Sequence, residues 1–95
     1  MAVRERPEGN TLQLSRRLSP IETTVGVQRR LNQLGFNAGL EDNIYGPKTT
    51  AAVKRFQAFC KERAGGDDPR IIDSGPIDGI VGPLTRRALL RFYGS

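Results

Sequence analysis

Apolar residues return at helical spacing in three separate places along this chain. Val27, Leu31 and Leu34 share one helical face, Ala52, Val53, Phe56 and Cys60 a second, and Leu84, Ala88, Leu89 and Phe92 a third. Turn-forming residues lie between them. Ser19-Pro20-Ile21-Glu22 has the form of a capping box with Pro at the first helical position, so a first helix or a preliminary turn is expected to start there, with Gly35 as the stop. A second helix is expected from Pro47 to about Ala64, ending at Gly65-Gly66, and a third from Pro83 to about Tyr93, ending at Gly94. Asp67 to Pro76 is rich in Asp, Gly, Pro and Ser and reads as a loop, pinned back by Ile71-Ile72. Thr11-Leu12-Gln13-Leu14 alternates like a strand but has no partner strand, and residues 1–18 read as an N-terminal tail. These elements predict an all-α fold, a compact three-helix bundle over residues 19–95. Its expected core gathers Val27, Leu31, Leu34, Phe36, Ile44, Val53, Phe56, Ile80, Leu89 and Phe92.

Two of the three helices share an entrance. Shifting Asp42–Phe56 by 36 residues places it on Asp78–Phe92, and 8 of the 15 paired positions are identical: Asp, Ile, Gly, Pro, Thr, Ala, Arg and Phe. Internal similarity of this kind marks one structural unit used twice. In each copy Asp42 or Asp78, followed by Asn43 or Gly79, forms a tight turn, because Asp bonds nearby backbone and Gly, or less easily Asn, accepts positive φ. Ile44 and Ile80 are the expected apolar anchors. Gly46-Pro47 and Gly82-Pro83 set a permissive residue at the cap and Pro at the first helical position, and Thr49 and Thr85 follow in the first turn. Gln28 and Gln57 are expected to use their side-chain amides on the backbone of these two turns.

Composition narrows the function. A chain of 95 residues holds one small domain and no deep enzyme cleft. No apolar run approaches the roughly 20 residues of a membrane span, which argues against membrane insertion. Met1 to Asn10 has no apolar core of a secretory signal. The single cysteine, Cys60, has no internal partner, and the absence of histidine removes the usual zinc sets and any Cys–His pair, so no metal, no cofactor and no catalytic residue is expected. Cys60 reads as a small apolar residue on an inner helical face. Carboxylates could in principle hydrolyse a glycoside, but Asp42 and Asp78 are explained by turns and the others sit in loops. The net charge of +5 is spread along the chain: 6 basic and 3 acidic residues precede Leu40, and 9 and 7 follow it. Such a surface favours acidic partners in general. Arg29, Arg30, Arg55, Arg86, Arg87 and Arg91 read as solvated faces, and their scatter, without a recognition helix, argues against nucleic acid.

Val27-Gln28-Arg29-Arg30-Leu31, Leu34-Gly35-Phe36, the first Asp-x-Ile-x-Gly-Pro-x-Thr element, Ala51-Ala52-Val53, Phe56-Gln57 and the second element with Ala88-Leu89 together resemble the peptidoglycan-binding domain type 1 family. The resemblance spans about residue 20 to residue 93. It implies a three-helix module that binds bacterial cell wall without catalysis, targeting or anchoring an associated enzyme or machine. Modules of this kind are usually attached to wall hydrolases and also occur in phage tails and contractile-injection components, and a related bundle serves as a prodomain segment in animal metalloproteases. Asn43 stands where the family usually has Gly. The stretch from Gln57 to Asp78 is longer than the family's usual connection, which marks residues 65–76 as an insertion. The implied partner is peptidoglycan, as glycan strand or stem peptide, and the implied place of action is the bacterial periplasm or wall, reached through a partner, a secretion machine or a phage-like particle.

The candidate ligand-binding residues are Asn37, Glu41, Asn43, Tyr45 and Lys48, on the rim between the first two helices. Tyr45 draws attention because its counterpart is Val81; it either covers the core edge or offers a stacking plate and a hydroxyl. Its neighbours could bond acetamido groups, peptide bonds or a carboxylate. A second function class is a structural adaptor or effector-associated module of a phage-tail-like or contractile injection or secretion system, acting through protein contacts of residues 1–18.

Overall fold

A computed structural model of the chain describes residues 19–94, so the expectations for residues 1–18 and for Ser95 lie outside the described residues. It contains three helices, α1 (Thr24–Gln33), α2 (Pro47–Arg63) and α3 (Pro83–Tyr93), and no strand among the described residues. The chain is all-α there.

Helix α1 starts later than the capping box at Ser19 suggested. Thr23 N–H donates to Pro20 O at 3.0 Å, closing a preliminary turn, and Thr23 itself is the N-cap, its Oγ1 accepting from Gly26 N at 3.0 Å. A second cap comes from far along the chain, where Asn43 Oδ1 accepts from Val25 N at 2.9 Å. Two donors that a helix start leaves open are thereby satisfied. Gly26 lets the turn fold onto the helix, since a Cβ there would come within 2.0 Å of Pro20 O. The helix ends in a Schellman arrangement: Phe36 N donates to Leu31 O at 2.8 Å and Gly35 N to Asn32 O at 3.1 Å. Helices α2 and α3 both open on a glycine cap followed by Pro, with extended backbone at Gly46 (φ −101°, ψ −169°) and Gly82 (φ −96°, ψ −171°).

The core is built from Val27 and Leu31 of α1, Ala52, Val53, Phe56 and Cys60 of α2, Ala88 and Leu89 of α3, and Ile21, Ala38 and Ile71 from the connections. Ile71 does pin its loop, as expected. Leu34, Phe36 and Phe92 pack around this core only half-buried. An edge-to-face series links the elements: Phe36 lies 5.5 Å from both Phe56 and Phe59, and Phe59 lies 5.3 Å from Phe92.

Three apolar expectations are overturned. Ile44 (65% exposed), Ile80 (66%) and Leu84 (52%) face outward instead of joining the core. For the two isoleucines the reason is local: the Asp carboxylate accepts the isoleucine's N–H, and its carbonyl accepts from the buried Gln28 or Gln57 amide, which turns the residue's backbone, not its side chain, toward the interior. Arg30 is also not on a solvated face. It is 5% exposed, its Nη1 donating to Ser19 O and Gly26 O at 2.8 and 2.9 Å while its guanidinium stacks over Tyr93.

Candidate functional site

Two buried glutamines organise the two helix entrances. Gln28 Nε2 donates to Thr49 Oγ1 (2.9 Å), Ile44 O (3.0 Å) and Asp42 Oδ1 (3.2 Å), and its Oε1 accepts from Asn43 N (3.0 Å). Gln57 repeats the arrangement on the turn 36 residues further along: Nε2 donates to Thr85 Oγ1 (3.0 Å), Ile80 O (3.1 Å) and Asp78 Oδ1 (3.2 Å), while Oε1 accepts from Asp78 N (3.0 Å) and Gly79 N (2.9 Å). The threonines extend both networks, to Ala38 O at 3.4 Å and Ser74 O at 2.9 Å. A buried amide with every polar atom engaged fixes one geometry, because any other would strand donors and acceptors away from water. Asn43 (φ 63°) and Gly79 (φ 73°) occupy the left-handed position that each turn requires. At Gly79 a side chain is excluded as well, since a Cβ would meet Thr50 Cγ2 at 2.7 Å.

These turns set the local electrostatics. The Ile44 N–H, followed by the Gln28 amide, holds the Asp42 carboxyl below its ordinary range. The Ile80 N–H acts likewise on Asp78, with Gln57 and the charge of Lys54 adding to it. Hydrogen bonds to the charged form of a carboxylate stabilise that form. Burial raises the Tyr45 phenol.

The five candidate ligand residues are placed as follows. Tyr45 is 40% exposed and its hydroxyl donates to Gly79 O, tying the first turn to the second. Asn43 spends its side-chain oxygen on the α1 cap. Glu41 pairs with Arg29 at 3.2 Å and accepts from Asn32 Nδ2 at 3.2 Å. Asn37 is exposed, with left-handed backbone (φ 56°) and its carbonyl bound by Arg55 Nη2 at 3.1 Å. Lys48 is exposed, its stem running against Gly39. Only Lys48 among the five lines the open groove of about 430 Å³ beside the first clamp, together with Leu40, Asp42, Ile44 and Pro47. Neither Leu40 (80% exposed) nor Ile44 is among the residues the sequence points to for this groove: Ile44 reads as a core anchor, and Leu40 belongs to no periodic face.

Among the described residues, no cluster of three or more His, Cys, Asp or Glu residues could hold a metal ion, and no helix is long and apolar enough to cross a membrane. No curated protein and no solved structure matches the chain. Residues 23–61 match the model of the family described as "Putative peptidoglycan binding domain", so the stretch from the α1 cap through the first turn and most of α2 carries that family's pattern.

Proposed function

We propose that the chain binds peptidoglycan without cleaving it, through the groove beside the Gln28 clamp, and so holds an associated enzyme or machine at the wall or in the periplasm. The observation that carries this reading is the family match over residues 23–61, which contains every residue named in the groove. The chemistry fits. Exposed Leu40, Ile44 and Pro47 offer apolar surface to sugar C–H faces or peptide methyls, and Lys48 and Asp42 offer one charge of each sign at its edge. The clamp beneath keeps this surface in one shape before a ligand arrives, which lowers the ordering cost of binding.

The two turn carboxylates are suited to holding the scaffold rather than to bond cleavage. A general acid for glycoside hydrolysis needs a raised pKa, whereas Asp42 and Asp78 are both held in their charged form. The scaffold, in this reading, is a compact three-helix bundle over residues 19–95 made from one turn-helix unit used twice, with residues 65–76 as an insertion. Supporting the insertion, the clamp partner lies 14 residues after Gln28 and 21 after Gln57, so the second connection is 21 − 14 = 7 residues longer. A single open groove gives weak affinity, and retention at a wall comes from tethering to other wall-binding parts.

Co-sedimentation with purified insoluble sacculi tests the proposal. The wild-type chain is expected in the pellet at low salt, and the double variant Leu40→Ser/Ile44→Ser in the supernatant with an unchanged melting temperature, since both residues are exposed. Wild-type protein that stays wholly in the supernatant overturns the reading. Equal pelleting of the two proteins moves the site elsewhere.

A further inference from the structure

The longer second connection does more than span a gap. With the end of α2 and with Phe92 of α3 it borders a separate open cavity of about 620 Å³, none of whose lining residues belongs to the groove beside the first clamp. Its apolar surface is Phe59, Phe92 and Ile71. The walls are held in place: Ile71 is buried, Arg91 Nε donates to Pro69 O at 2.9 Å, and Ile71 N donates to Asp68 O at 3.1 Å.

The charges around this cavity divide into a closed pair and an open set. Arg70 and Asp68 satisfy each other through two bonds, Nε to Oδ1 at 3.1 Å and Nη2 to Oδ2 at 2.8 Å, with the Arg70 guanidinium lying 5.2 Å from the centre of the Phe92 ring. Arg63 stacks 4.7 Å from the centre of the Phe59 ring, a contact that orients its donors, yet no carboxylate of the described residues pairs with it. Glu62 and Asp67 line the same cavity and likewise have no cationic partner among the described residues. The cavity also sits at the negative end of α2, where cations are favoured. One oriented cation and two carboxylates around an apolar floor form a pattern complementary to a molecule that carries both charges on an apolar body.

We infer that this cavity is a second binding site, and that it takes short peptides with both termini free. The peptide carboxylate is met by Arg63, its ammonium by Glu62 and Asp67, and its aliphatic body by Phe59 and Phe92. This inference does not depend on the groove reading, because it uses different residues and a different ligand end.

The test is a chemical-shift titration of the whole chain with tetra-alanine bearing free ends, and with its N-acetylated and C-amidated forms. Saturable shifts are expected at the Gly65, Gly66 and Ile71 amides. Blocking either end should weaken binding about tenfold or more, the scale of a lost charge-assisted hydrogen bond. Arg63→Gln, at an exposed position, should leave the fold intact and lower affinity for the free peptide to that of the amidated one. Several results overturn the inference: no shifts at these amides with millimolar peptide, shifts confined to Leu40–Lys48, equal binding of all three peptides, or loss only on amidation, which would leave a plain anion site.

Discussion

Replacing Gln57 by Leu isolates what the second clamp contributes. Gln57 is fully buried and makes five hydrogen bonds, to Asp78 Oδ1, Ile80 O and Thr85 Oγ1 and from Asp78 N and Gly79 N. Leucine fits the volume and keeps the packing, but bonds none of them. At about 1 kcal/mol net per bond the gross loss is about 5 kcal/mol. Water can reach the exposed Asp78 carboxylate, and Thr85 keeps Ser74 O as a partner, whereas the buried Gly79 N–H is left with nothing. Allowing for that rehydration and for the gain from a buried Leu, the expected destabilisation is about 3 kcal/mol. For a domain of this size this corresponds to a melting temperature lowered by about 12–24 °C. Urea and thermal unfolding followed by far-ultraviolet circular dichroism measure it. Gln57→Glu provides an internal check. A carboxylate can accept the two N–H groups but cannot donate to Asp78, Ile80 and Thr85, so this variant should gain stability relative to wild type on acidification, as the introduced carboxyl takes up a proton. If Gln57→Leu unfolds within about 0.5 kcal/mol of wild type, a margin typical of inconsequential surface changes, the clamp is not what holds the second turn.

Acid should weaken the fold through Asp42, Asp68 and Asp78. Their folded pKa values lie below the ordinary value, Asp68 at about 2 through its bonds to Arg70, so their stabilisation is complete above the unfolded carboxylate range and lost as the pH falls through the folded values. A pH series of urea midpoints reads this, and Asp42→Asn/Asp78→Asn, which retains the Oδ1 acceptors, should flatten it. Asn43→Ala loses the α1 cap and places alanine at φ 63°, for an expected cost of about 2 kcal/mol; Asn43→Gly loses the cap but gains a residue suited to that φ, so it should unfold at higher urea than the alanine variant. Phe56→Ala should cost about 3–5 kcal/mol, and Phe92→Ala clearly less because Phe92 is only half-buried; equal losses in thermal melts would contradict the burial pattern. Burial pushes the Cys60 thiol up to about 11, so its modification by a thiol reagent at neutral pH should follow the rate of unfolding, and rapid labelling of the native chain would contradict this.

The sequence alone determined the number, order and approximate ends of the helices, because Gly-Pro entrances, glycine stops and helical periodicity are local signals. It also gave the task of Gln28 and Gln57, since only a long side-chain amide can both donate to and accept from a turn. The tertiary structure decided which apolar residues are outside. Ile44, Ile80 and Leu84 obey the same spacing rules as core residues, yet the Asp-anchored turns direct the two isoleucines outward, and no periodicity contains that information. It likewise gave Tyr45 and Asn43 partners 34 and 18 residues away, and placed Leu40 and Ile44 rather than those two polar residues along the groove. The cavity over Phe59 and Phe92 was illegible for the same reason. It exists only where a connection, a helix end and a third helix meet, and sequence spacing records none of those distances.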